Sequence, residues 1–296
     1  MLFVCRGLII SAVLLSVASH GRAASVWKVT SGAGNVLYLG GSIHALKSTD
    51  YPLPSAYNRA FDASDRLVCE VDPKALDESS KGLLKAGEYP KSDSLKNHVD
   101  PRTYDYLRRL FKLMDVPETK FARYRPWFLS LMLQEPALNG ISETLGVEEF
   151  LTRRAQANSK PVLGLESARE HADIFLGLTD RQSEAMLLIM FIPAERGSSS
   201  AGNALADAWR RGDADTDTRI FMNGFRDYPS LADRLLTNRN RKWIPKIEGY
   251  LRSGKTYFVV AGAAHMGGAN GVLALLRHRG YRIEQTTACH RESRRR

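Results

Sequence analysis

Apolar residues recur along this chain in two rhythms, short continuous runs and longer stretches at helical spacing. VWKVTSG (26–32) and NVLYLGG (35–41) flank Ala33-Gly34 as the arms of a hairpin do. RLVCEVD (66–72), PVLGLE (161–166), YFVVAGAAH (257–265) and YRIEQ (281–285) complete the predicted strands. The central runs are almost wholly apolar, as in strands covered by helices on both faces. Helical spacing covers 54–63, 73–87, 101–114, 126–138, 147–157, 168–177 and 179–191. It resumes over 204–211, 216–227, 231–251 and 271–279. In 101–114, Asp100-Pro101 gives the start signal, and Tyr104, Leu107, Leu110, Phe111 and Met114 recur on one face. Gly197 to Ser200 is the most loop-like stretch.

The pattern predicts an α/β fold with a mixed central sheet flanked by helices. The hairpin supplies the antiparallel part, and large helical insertions occupy about 73–160 and 168–255. No repeat of fixed period appears. A twofold echo does: each half holds one strand leading to Gly-x-x-His and one ending in Glu.

Residues 1–23 break from this composition. An Arg, the apolar run LIISAVLLSVA and the small residues after it read as a secretory signal cleaved after Ala23. The run is short for a membrane span. The expectation is an exported protein, periplasmic or secreted, with 24–296 as one domain and no transmembrane segment after cleavage. Cys69 and Cys289 remain, and an oxidising compartment permits a bridge between them. The formal charge is +10, two less once Arg6 and Arg22 leave with the leader. Basic residues are interleaved with acids at helical spacing, without the aromatic-studded basic face of a nucleic-acid binder. No nucleic-acid partner is expected.

The chemistry concentrates at strand ends. GGSIH closes the second strand on Gly41 and His44, and GAAH closes the fifth on Gly262 and His265. Two further strands reach Glu70 and Glu166. If these strands run parallel, the four groups share one sheet edge, where open α/β sheets bind ligands. Imidazole and carboxylate together suit Zn, Mn, Co or Fe and do not choose among them. A divalent ion there would support hydrolysis; without one, a His oriented by Glu would serve as general base. Asp72 reads as the cap of the helix opening at Pro73, and Glu166 serves equally as a site residue or as a cap. GYLRSGKT (249–256) matches the P-loop pattern literally. It lies between a helix and a strand in the reverse of the order a P-loop needs, so nucleotide binding is rejected and Gly254 reads as a helix terminator. HExxH, GxSxG and GxGxxG are absent.

LYLGGSIHAL, LVCEVD, GVEEFLTRRAQANSKPVLGLES and RNRKWIPKIEGYLRSGKTYFVVAGAAHMGGANGVLALLRHRGYRIEQ together resemble the TraB/GumN family, which includes the Tiki proteins. The resemblance runs from about Val26 to Gln285. It implies a fold of the erythromycin-esterase/ChaN-like kind and a divalent-metal-dependent peptidase. His44, His265 and Glu70 would be the metal ligands, with Glu166 as a further ligand or base. It also marks Arg239 and Asn240 as site residues: the Arg would clamp a substrate carboxylate or orient Glu70, or else be a surface residue of the basic run 239–242. Ser42 stands where Thr is commoner, and Glu148 stands where the family often has Asp, so Glu148 is left outside the expected site. The expected partner is a peptide or small-molecule substrate. A metal-free esterase and a non-enzymatic binder of peptide or haem are the other readings; oligomeric state is left open.

Overall fold

The computed structural model describes residues 22–44, 46–133, 141–142, 145–191 and 201–288. Eight strands form: β1 Arg22–Thr30, β2 Val36–Ser42, β3 Leu46–Lys47, β4 Arg66–Val71, β5 Ile141–Ser142, β6 Val162–Glu166, β7 Tyr257–Gly262 and β8 Arg282–Ala288. The two-residue strands β3 and β5 pair with each other. The other six make one sheet in the order β6-β4-β7-β2-β1-β8. β6, β4, β7 and β2 run parallel, while β1 is antiparallel to both β2 and β8, so the sheet is mixed as expected. Gly34, at φ 85°, takes the left-handed turn that joins β1 to β2.

Both faces of the sheet are covered. In β7, Tyr257, Val259 and Ala261 join a core with Trp243, Ile244, Ile247 and Leu251 of the helix Asn238–Arg252. Phe258 and Val260 point the other way, to Tyr57 and Phe61 of Ser55–Asp62 and Leu151 of Val147–Ala157. Two-sided burial is why these strands read as continuous apolar runs.

The helical segments fall between β4 and β6 and between β6 and β7, where the sequence placed its insertions. The helix expected over 126–138 is described as Pro126–Met132, with 134–140 outside the described residues, as are Gly197 to Ser200. Helix Asn238–Arg252 is preceded by a π-helical turn, Asp233–Thr237, that periodicity does not announce. The literal P-loop is a turn between that helix and β7, with Gly254 left-handed at φ 76°. The expected cleavage after Ala23 falls inside β1, whose Arg22 and Ala23 pair with Ala288 and Thr287. Cys69 is buried and free, and Cys289 lies outside the described residues. Among the described residues no helix is long and apolar enough to cross a membrane.

One buried group strains this packing. Asp217, on the helix Ala214–Gly224, is 0% exposed and neither carboxyl oxygen has a hydrogen-bond partner among the described residues. Burial, then the charge of Asp213, pushes its pKa up to about 8, against the opposing pull of Arg211. The cost to folding is absent below the ordinary value of 3.8, grows as pH rises, and is complete above about 8. Asp217→Asn is therefore expected to match the parent in acid and to gain about 1–3 kcal/mol by the upper end of that window. Urea denaturation at the two ends of the window checks it; a gain that does not change with pH contradicts it.

Candidate active site at the sheet edge

The parallel order β6-β4-β7-β2 puts the four strand ends side by side. Glu166 ends β6 and pairs with Val71, one residue past Glu70 in β4. His265 closes the turn Ala263–His265 directly after β7, and His44 follows β2 by two residues. Glu70, Glu166 and His265 are buried; His44 is exposed.

The Gly262 N–H donates to Glu70 Oε1 at 2.7 Å, and a Cβ at Gly262 would stand 3.3 Å from that oxygen. The first residue of the second Gly-x-x-His motif thus admits the carboxylate of the neighbouring strand. At the first motif it is the carbonyl of Gly41 that is held, by the Tyr57 hydroxyl and, at 2.9 Å, by the Trp209 indole N–H.

Arg239 ties the edge together. Its guanidinium donates to Glu166 from Nε (3.1 Å) and Nη2 (2.7 Å), and Nη2 also donates to Glu70 Oε2. Its side chain is 12% exposed, which overturns the surface-residue alternative. Glu166 is saturated, since His171 Nδ1 (2.7 Å) and Trp243 Nε1 (3.2 Å) occupy its oxygens as well. It is neither a free base nor a helix cap. Ser167 caps the following helix through a box with Glu170, and Asp72 caps the helix at Pro73 by accepting from the Lys74 N–H. Glu166 and Arg239 are therefore positioning groups.

Asn240, the next residue, fixes His265. Its Nδ2 donates to the Asn270 carbonyl at 2.9 Å, which turns Oδ1 toward His265 Nδ1 at 2.6 Å. Nδ1 accordingly carries the proton and Nε2 is left with its lone pair. Nε2 lies 3.8 Å from Glu70 Oε1 and accepts from Arg239 Nη1 at 3.3 Å. Trp243 lies beside both groups, its ring 4.4 Å from the imidazole and 4.8 Å from the guanidinium carbon. Arg239 and Trp243 are one helical turn apart, so one helix face builds this wall.

Electrostatics separates two carboxyls that are near neighbours. Burial alone would raise Glu70, but Arg239, His265, His44 and the Gly262 N–H outweigh it and hold it well below the usual carboxylate range. Glu148 goes the other way. Packed round by protein, and next to the Glu70 charge, it is pushed well above that range. Its one hydrogen bond among the described residues comes from the Ser42 hydroxyl at 3.4 Å. Burial, with Arg239 adding, pushes His265 down to about 3 against the pull of Glu70.

The structure thus joins Glu70, Glu166, Arg239, Asn240 and His265 in one network and leaves His44 at its rim. Among the described residues, no three His, Cys, Asp or Glu side chains converge as they stand on a point that would hold a metal ion. The donor chemistry still fits one: a fixed, neutral imidazole, whose Nε2 now accepts from Arg239, stands beside an ionised carboxylate. Sequence reasoning missed Glu148, His171, Trp243, Tyr57 and Trp209. Trp243 was findable at four residues from Arg239. The others answer only to the assembled fold.

An α/β sheet whose parallel strands end in paired Gly-x-x-His turns around a carboxylate–arginine clamp defines the class. The TraB/PrgY/gumN family model matches residues 25–285, and the chain belongs to that family. It is 24% identical over 242 residues to the uncharacterized protein YbaP of Escherichia coli (strain K12), covering 81% of this chain and 87% of that one. The same figures hold for YbaP of Shigella flexneri. No solved structure matches.

Two outcomes follow from the clamp. Arg239→Met takes the guanidinium away from two buried carboxylates, leaving Glu166 with His171 and Trp243 and Glu70 with the Gly262 N–H, and should cost about 3–5 kcal/mol in urea denaturation. Adding Glu166→Gln should recover part of that loss, whereas equal stability of Arg239→Met and parent would contradict the clamp. Nitrogen-15 imidazole NMR should find His265 neutral, with its proton on Nδ1, from neutral pH down to about 3.

Proposed function

We propose that this protein is an exported, divalent-metal-dependent hydrolase of the peptidase kind, acting on a peptide or small amide in the periplasm or medium. Export rests on the N-terminal apolar run. Family membership lends the erythromycin-esterase/ChaN-like relationship to the same reading. The observation that carries the reaction is a pair of neighbouring carboxyls displaced in opposite directions, Glu70 held down by Arg239 and Glu148 pushed up by burial and the Glu70 charge, beside the fixed imidazole of His265.

His265 and Glu70 would hold the ion, with His44 closing from the exposed rim. When bound, the ion polarises the scissile carbonyl and lowers the pKa of water. Glu148, whose hold on a proton is strengthened by burial and the Glu70 charge, would give a proton to the leaving nitrogen as the C–N bond breaks and recover one from the attacking water. Arg239 and Glu166 keep Glu70 in place, and Asn240 keeps the His265 lone pair turned toward it. A neutral, fixed imidazole suits a ligand. It does not suit the base of a metal-free esterase, because a group titrating near 3 takes up protons poorly at neutral pH.

The test is metal analysis of the purified protein, with peptide-library cleavage before and after chelation. Chelation should abolish cleavage, and Mn, Co or Zn should restore it. His265→Ala should lose metal and activity together. Glu148→Gln should keep metal while turnover falls about 10²- to 10⁴-fold. Cleavage that survives chelation, or Glu148→Gln at full rate, would refute the proposal.

A further inference from the structure

Away from the sheet edge, the helical segments enclose a cleft of about 620 Å³ that the proposed reaction does not use. Its size suits a small organic ligand. Five charged side chains line it, and they divide by occupation. The acids are engaged: Glu88 pairs with Arg123, and Asp180 with His98 at 2.9 Å. The cations are not. Lys85 and Lys91 have no ion pair among the described residues, and Arg125 spends only its Nε, on the Ala86 carbonyl at 3.2 Å.

Tyr89 lines the same cleft. It is 7% exposed, and its buried hydroxyl has no hydrogen-bond partner among the described residues. A buried hydroxyl without a partner is uncommon enough to need a reason. Its ring is held in place, stacked on His98 at 4.4 Å with the Arg125 guanidinium carbon 4.7 Å from the ring centre. The wall also carries Leu176, which is 43% exposed and has no evident role in the core.

We infer that this cleft is a binding site for a small molecule with an anionic head, a carboxylate, on an apolar body. The carboxylate accepts from the Tyr89 hydroxyl and the free Arg125 nitrogens, with Lys85 and Lys91 supplying charge. The apolar body lies along Leu176. The site is independent of any reaction at the sheet edge.

Isothermal titration of the full chain with 2-naphthoate, its neutral amide and inorganic phosphate tests this. Naphthoate should bind saturably at one site, with the amide and phosphate each at least about tenfold weaker. Tyr89→Phe keeps the ring and should weaken naphthoate about tenfold without lowering the melting temperature, because the hydroxyl it removes has no partner. Lys85→Ala/Lys91→Ala, two exposed changes, should also weaken it. Three results would each overturn the inference: no saturable naphthoate binding, amide or phosphate binding as tight as naphthoate, or unchanged affinity in Tyr89→Phe.

Discussion

The sheet edge depends on one buried cation. β4 and β6 are neighbours, and each delivers a glutamate to the same end. Without a counter-charge, two carboxylates buried that close could not both ionise. The Arg239 guanidinium reaches both, and its planar fork gives Glu166 two parallel hydrogen bonds while one nitrogen continues to Glu70. A lysine would supply the charge without the fork, so the geometry asks for arginine. Burial of such a group is unfavourable in itself; what holds it is the number of acceptors it meets.

The two Gly-x-x-His turns look alike in sequence and are built differently. The second is rigid: Gly262 serves Glu70 through its N–H, Asn240 fixes the imidazole, and Thr218 donates to the Ala264 carbonyl between them. The first is tied through the Gly41 carbonyl, held by Tyr57 and Trp209, the Ser42 hydroxyl on Glu148, and the Ile43 carbonyl, which accepts from the Val147 N–H at 3.1 Å, yet its histidine is exposed. One histidine is thus fixed inside the hydrogen-bond network and the other stands outside it. That asymmetry accounts for the absence, among the described residues, of a converged three-ligand cluster.

Periodicity carried most of the fold, because each central strand is buried on both faces and each helix on one. Strand ends were legible too, since a polar residue closing an apolar run marks where a chain leaves the core. Partnership was not. Glu166 reads as a cap or ligand in sequence, and only the meeting of β6 with Asn238–Arg252 makes it the base of the clamp. Glu148 was set aside because it stands where the family often has Asp, and it lies in a helical segment far from any strand end. The fold brings that helix back over Ser42, 106 positions earlier. Asp217 sits inside an ordinary helical pattern, and its burial comes from packing that no local spacing encodes.

The opposite displacement of Glu70 and Glu148 follows from the same cation together with burial. Two fully buried carboxylates face a single buried guanidinium, so a third ionised carboxyl nearby would add uncompensated negative charge. Glu148 is the carboxyl that Arg239 serves least, and its pKa is pushed up. The pair therefore has two causes: Arg239 holds Glu70 down, while burial and then the Glu70 charge push Glu148 up. Moving Arg239 would disturb proton-holding at Glu148 as well as anchoring at Glu70, although no hydrogen bond joins Arg239 to Glu148. In this edge, one side chain sets the architecture, and proton chemistry follows from that side chain together with burial.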